Sequence, residues 1–185
     1  GDIVYSPTQF YGMLSLNKEI RSNSITLYSA AKTFNVGGLP DSFLFIPNEK
    51  HRDKLSKALK SLSLDFRNSL NNAAFTAAFH LGDTWVTELL GYLEKNIDYI
   101  DLFLKDNLPD VSINKPEGTY QLWLDFRKMG IDRKELQRLL VSKGKIALNA
   151  GHWFGREGAG FERMNIASPL SIIEDGMQRI ARAFE

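Results

Sequence analysis

Ser24-Ile-Thr-Leu-Tyr-Ser-Ala-Ala-Lys-Thr-Phe-Asn-Val-Gly-Gly-Leu39 is the stretch from which the rest of the chain is read. Ile25 to Tyr28 alternate well enough for a buried strand. Ser29, Ala30 and Ala31 then leave almost no side-chain bulk before Lys32, so a ligand has room to approach the backbone in the turn that follows. Lysine attacks carbonyls only as the neutral amine, and desolvated pockets supply that form. Lys32 is therefore the candidate reactive centre, set against the plain alternative that a lysine after a strand is simply solvated. Beyond the turn, Ser42-Phe-Leu-Phe-Ile46 is a short apolar run ended by Pro47-Asn48, which predicts a second buried strand beside the first, part of a larger sheet.

Outward from there the periodicity turns helical. Leu55, Leu59 and Leu62 predict an amphipathic helix over 49–64, with its lysines on a solvated face. The alanine-rich run Asn71 to Phe79 predicts a helix able to pack closely on a neighbour. Gly82-Asp83 marks a break. From Thr84 to about Asn107, the residues Trp85, Leu89, Leu90, Leu93, Ile97, Ile100 and Leu104 fall on one stripe of a long helix that ends at Pro109. Shorter elements follow: strands at Val111–Ile113 and Tyr120–Phe126, a helix from Arg133 to Ser142, an extended run Ile146–Asn149, a loop with four glycines from Gly151 to Gly160, a strand Phe161–Ala167 and a helix Ser171–Ala183. The fold class is α/β with an α+β C-terminal part, and the domain boundary is expected near residue 82, giving segments 1–82 and 83–185.

Composition narrows the function classes. Hydrophobic residues make up 43% and charged residues 24% of the 185, which is ordinary for a globular protein. A net charge of +1 gives no global field for nucleic acid or an anionic membrane. The absence of cysteine excludes disulfides and thiolate metal sites and fits a reducing, cytoplasmic setting. His51, His80 and His152 are too scattered for a metal-ligand pattern. No apolar run approaches the roughly 20 residues a spanning helix needs. The opening Ile3-Val4-Tyr5 enters a strand-like run with no lead-in and reads as starting inside a domain.

A second stretch carries chemistry: Phe161-Glu-Arg-Met-Asn-Ile-Ala-Ser-Pro169. On a strand, Phe161, Arg163 and Asn165 share one face, so Arg163 points the same way as an aromatic ring expected to be buried. An inward guanidinium needs an anion, and its fixed fork of donors matches a carboxylate. The candidates are the α-carboxylate of an amino-acid substrate or a structural ion pair with Glu117 or Glu157.

Ser-x-x-Lys-x-Phe-Asn-x-x-Gly-Leu, here Ser29, Lys32, Phe34, Asn35, Gly38 and Leu39, resembles the cofactor-lysine segment of fold-type I pyridoxal-phosphate enzymes. The resemblance is closest to the cystathionine β-lyase and C-S lyase branch of the class I/II aminotransferases. Arg-x-Asn-x-Ala-x-Pro, here Arg163, Asn165, Ala167 and Pro169, resembles the substrate-carboxylate motif of the same family and follows in the family order. Lys115 to Asp125 looks like its small-domain strand, and Asn149 to Gly155 with Gly158 and Gly160 like the loop before the arginine. The resemblance implies that Lys32 carries pyridoxal 5'-phosphate and moves the α-proton, that Ser29 hydrogen-bonds the phosphate, and that Arg163 holds the substrate carboxylate across a cleft from Lys32. It implies a homodimer acting on sulfur amino acids, with aminotransferase activity as the near alternative and a non-catalytic binding module, using the Trp85 helix as its surface, as the distant one. Two departures stand out. Pro40 occupies the position of a phosphate-binding arginine of aspartate aminotransferases, and the family's phosphate loop, ring-stacking aromatic and pyridinium aspartate all precede the region this chain resembles. The chain by itself is therefore expected to be inactive.

Overall fold

The computed structural model describes residues 1–39 and 41–185, so the expectation placed on Pro40 lies outside the described residues. By internal contacts the chain divides into two compact units, Gly1–Leu89 and Leu90–Glu185.

The first unit holds the short helix α1 (Lys18–Ser22), strands β1 (Thr26–Tyr28) and β2 (Phe43–Phe45), helices α2 (Glu49–Ser61) and α3 (Ser69–Leu81), and the first turns of α4 (Asp83–Asn107). β1 and β2 pair antiparallel, with Thr26 opposite Phe45, Leu27 opposite Leu44 and Tyr28 opposite Phe43. One face of this ribbon lies on α3. The Phe43 ring stands 5.5 Å from Phe79 and 6.1 Å from Phe75, and Tyr28 lies 5.7 Å from Phe79. Phe75 is fully buried at the centre of the cluster. The opposite face, with Leu27 and Leu44, stays 69% and 42% exposed. The two strands are thus neighbours, as their sequence indicates, but are not buried. Their alternating apolar residues are matched to two covering layers, and the first unit supplies one. Asn48 and Asn68 cap α2 and α3 by accepting from the backbone N–H groups of His51 and Leu70.

The second unit is an antiparallel sheet in the order β3-β4-β6-β5, formed by β3 (Ser112–Ile113), β4 (Gln121–Asp125), β5 (Asn149–Ala150) and β6 (Phe161–Asn165). The rest of α4, α5 (Arg133–Ser142) and α6 (Leu170–Arg182) complete it. The α4 stripe buries Leu93, Ile97, Ile100 and Leu104 as its periodicity predicts, and adds Asn96 and Phe103, whereas Leu89 and Leu90 at its start are only half-buried and Trp85 is exposed. Asn96, fully buried, donates from Nδ2 to the carbonyls of Ile166 at 2.9 Å and Ser168 at 3.1 Å, so α4 grips the chain leaving β6. α6 buries Ile173, Gly176, Met177 and Ile180. This mixture of helices with two small antiparallel sheets is the α+β arrangement anticipated from the sequence. No described helix is long and apolar enough to cross a membrane, and no cluster of described residues could hold a metal ion.

Candidate functional site

In the first unit the site is the turn that leaves β1. Phe34 N–H donates to the Ala30 carbonyl at 3.0 Å and Val36 N–H to that of Ala31 at 3.0 Å, so Lys32 rides on a tight reversal. Asn35 takes a left-handed φ of 53°, which asparagine tolerates better than most residues. Three contacts hold the turn from outside. Phe34 reaches back to Phe79, 5.9 Å away and edge-on. Trp85 donates its indole N–H to the Thr33 carbonyl at 3.1 Å, which gives this residue of α4 a local structural role. Asp2 accepts from Thr33 Oγ1 at 2.6 Å and, through its other oxygen, from the Tyr28 hydroxyl. Burial, then that hydrogen bond, push the Tyr28 phenol far above its ordinary range.

Lys32 is exposed and makes no hydrogen bond or ion pair among the described residues. This exposure departs from the desolvated pocket that the sequence suggested; what holds is that only the small side chains of Ala30 and Ala31 precede the lysine. Ser29 sits in the same turn, but its hydroxyl is already used. It donates to the Asp41 carbonyl at 2.8 Å and accepts from Ala31 N–H at 3.2 Å. To donate to a phosphate it must rotate off Asp41. Sequence spacing brings Ser29 to the turn but carries no information about that engagement.

In the second unit, Arg163 lies at the centre of β6, opposite Trp123 on β4 and Asn149 on β5. The buried face of β6 is the other one, occupied by Glu162 and Met164. Phe161 is half-buried and Asn165 exposed, so the arginine does not point into the core. Neither Glu117 nor Glu157 pairs with it. Its Nη2 donates to Asn149 Oδ1 at 2.9 Å, its guanidinium stacks 4.3 Å over Phe154, and its Nε is buried without a partner. A pocket of about 420 Å³ opens beside it, lined among others by Asn149, Asn165, Ser168 and Arg179. A guanidinium beside a pocket that also offers the polar side chains of Asn149, Asn165 and Ser168 can take a small carboxylate. Asn149 and Phe154 are the partners that the residue pattern does not single out, since β5 is only a pair of residues and its register with β6 leaves no periodic trace. The glycines make this loop possible: a Cβ on Gly151 would sit 2.2 Å from the Gly158 carbonyl oxygen, and one on Gly158 would sit 2.1 Å from that of Gly151. His152 is half-buried, with its ring 6.2 Å from Trp153.

No family model matches the chain. The cystathionine beta-lyase PatB of Bacillus subtilis is 36% identical over 187 aligned residues, covering 98% of this chain and 48% of PatB. The crystal structure of a PLP-bound putative aminotransferase from Clostridium difficile superimposes with a TM-score of 0.95 at 38% identity, covering all of this chain and 48% of that one. The chain is homologous along nearly its whole length to cystathionine beta-lyases and shares the fold of PLP-bound aminotransferases. Cystalysin from Treponema denticola, whose crystal structure contains pyridoxal 5'-phosphate, matches with a TM-score of 0.93 at 27% identity over 99% of this chain and 46% of its own. The chain spans about half the length of the relatives it matches. The similarity extends along nearly the whole chain.

Proposed function

We propose that the chain contributes the cofactor lysine and the substrate-carboxylate arginine of a pyridoxal-phosphate-dependent C-S β-lyase acting on sulfur amino acids in the cytoplasm. The single observation that carries this reading is the 36% identity to PatB over 98% of the chain. In this reading residues 1–82 belong to the cofactor domain and 83–185 to the small domain, and the working protein is a homodimer.

Lys32 would hold pyridoxal 5'-phosphate through its unpaired amine, with Ser29 turning from Asp41 towards the phosphate. The cofactor, when bound, supplies the electron sink for the carbanion at Cα. The chain's own residues bind and orient. Arg163, stacked on Phe154 and held from one side by Asn149, would receive the substrate carboxylate through its guanidinium, a contact that requires the side chain to shift because its Nε is buried. Fixing the carboxylate fixes the direction of the α-hydrogen, the orientation term of catalysis. The Lys32 amine, released when substrate takes its place, would then move that proton as general base. Cleavage of the Cβ–S bond would release the thiol and leave aminoacrylate, which water hydrolyses through its imine tautomer to pyruvate and ammonia. Because the chain spans about half of each relative, we propose that it does not turn over substrate alone.

The test is to co-express the chain with the part of B. subtilis PatB that the match leaves uncovered and to assay cystathionine. Pyruvate release abolished by Lys32→Ala is the expected result. Ketoacid-dependent amino transfer without pyruvate would instead make it an aminotransferase. A complex that forms yet neither binds the cofactor nor reacts would make it a binding module.

A further inference from the structure

Asp2 lies far from the lysine in sequence and belongs to neither motif, yet both of its carboxylate oxygens end on the lysine turn. One accepts from Thr33 Oγ1 at 2.6 Å, immediately after Lys32, and the other from the hydroxyl of Tyr28, the last residue of β1 before Ser29. The carboxylate thus bridges the end of β1 and the middle of the turn, at the residue that follows Lys32. Thr33 is buried, only 6% exposed, and its backbone carbonyl is taken by Trp85, so its hydroxyl has a fixed direction. Tyr28 is anchored by its ring on Phe79. Two anchored donors converging on one ionised acceptor make charge-assisted hydrogen bonds, roughly twice as strong as neutral ones. A clamp of this kind is costly to lose on one side, because the remaining hydroxyl is left part-buried without its acceptor.

We infer that Asp2 is a positioning residue for the cofactor lysine: it ties Tyr28 to Thr33 and so fixes the reversal that presents Lys32. The inference rests on the reading of Lys32 as the cofactor lysine, but the clamp itself is independent of the cofactor. Asp2 does not touch the lysine amine. It sets the backbone from which the amine extends, and an amine displaced by an ångström loses much of the benefit of orientation.

The primary test is amide hydrogen exchange on the 185-residue chain, read at Phe34 and Val36, whose N–H groups close the turn. Asp2→Leu, close in size and without acceptors, should speed exchange at these two amides by about tenfold while the α3 amides change less than about twofold. Asp2→Asn, which keeps one acceptor oxygen, should recover most of the protection, a rescue that general loosening would not give. If Asp2→Leu does not fold, Thr33→Val and Tyr28→Phe each remove one arm of the clamp, and each should speed the same amides several-fold. Unchanged exchange at Phe34 and Val36, or a rise shared equally by every amide of residues 1–89, overturns the proposal. In the PatB-complemented enzyme, Asp2→Leu should also lower kcat by about tenfold, with Asp2→Asn in between. Should Lys32→Ala remain active in that enzyme, the cofactor reading falls, and the exchange result still decides the role of Asp2.

Discussion

Arg163 shows how much a single residue's surroundings decide. Its type promises a carboxylate partner, but what the structure supplies is an amide, an aromatic face and an unfilled Nε. A lysine there would keep the charge but lose the fork and the stacking surface. Arg163→Lys should therefore weaken binding of a small carboxylate such as pyruvate by about tenfold, and Phe154→Leu by less, since cation–π contacts at exposed sites contribute only about 0.5–1 kcal/mol. Chemical-shift titration at Asn149, Phe154 and Arg163 would measure both, and equal affinity in Arg163→Lys would remove the carboxylate role. Its neighbour Glu162 is only 2% exposed, accepts from Gln137 Nε2 at 2.5 Å and leaves its other oxygen unpaired. Burial pushes this carboxyl above the usual glutamate range, with the Gln137 bond opposing. The folded state then keeps a proton that the unfolded state has already released, so Glu162 makes stability fall as pH rises from the ordinary glutamate range through its raised value. Glu162→Gln should flatten that part of the melting temperature's pH dependence. A variant whose profile still follows the wild type would show that Glu162 does not titrate there.

At the scale of elements, the helices were legible and the strands only half so. α4 repeats its apolar residues over many turns, and a period sustained that long has one burial solution. β6 has none of this redundancy. Within the strand Phe161, Arg163 and Asn165 face one way and Glu162 and Met164 the other, each face with one charge and one large apolar residue, so the pattern alone does not choose. The choice is made outside the strand: Ile166 is fully buried and its carbonyl is gripped by Asn96 on α4, which turns Met164 and Glu162 inward. Asn96→Ala should accordingly cost about 1–3 kcal/mol, because the buried Ile166 carbonyl and the part-buried Ser168 carbonyl lose their donor, and denaturant unfolding would read it. The Lys32 turn depends in the same way on a junction it does not contain. A Cβ at Gly82, between α3 and α4, would fall 2.2 Å from the Phe34 ring and 2.3 Å from the Ala78 carbonyl oxygen. Gly82→Ala should destabilise the first unit by about 1–3 kcal/mol by expelling Phe34 from its place on Phe79. Stability unchanged in that variant would mean that Phe34 does not brace the turn. The lysine motif itself was plain in the sequence, whereas its braces at Asp2, Trp85 and Gly82 were not, because they come from distant elements that only folding brings to the turn.

For the whole molecule the informative feature is an apolar surface left bare. β1 and β2 alternate apolar residues on both faces, yet α3 covers only one of them, through Tyr28, Phe43, Phe75 and Phe79. Ile25, Leu27 and Leu44 on the ribbon's remaining surface are 50%, 69% and 42% exposed, and the chain spans about half the length of PatB. A short ribbon with bare leucines and open hydrogen-bonding edges is a template for another chain. Burying a leucine fully is worth about 1.5–3 kcal/mol, so pairing these residues across two copies outweighs a modest part of the cost of association and produces weak, concentration-dependent assembly. Sedimentation velocity of the isolated chain should show the mean coefficient rising with concentration. Leu27→Lys, which leaves the α3 face untouched, should suppress the rise because it places a charge opposite Leu44 in the register of the ribbon. Adding the complementary part of PatB should suppress it too if that part covers the same face. A chain that sediments as a monomer at every concentration, with Leu27→Lys indistinguishable from it, would mean that this face is tolerated by solvent and is not a contact surface.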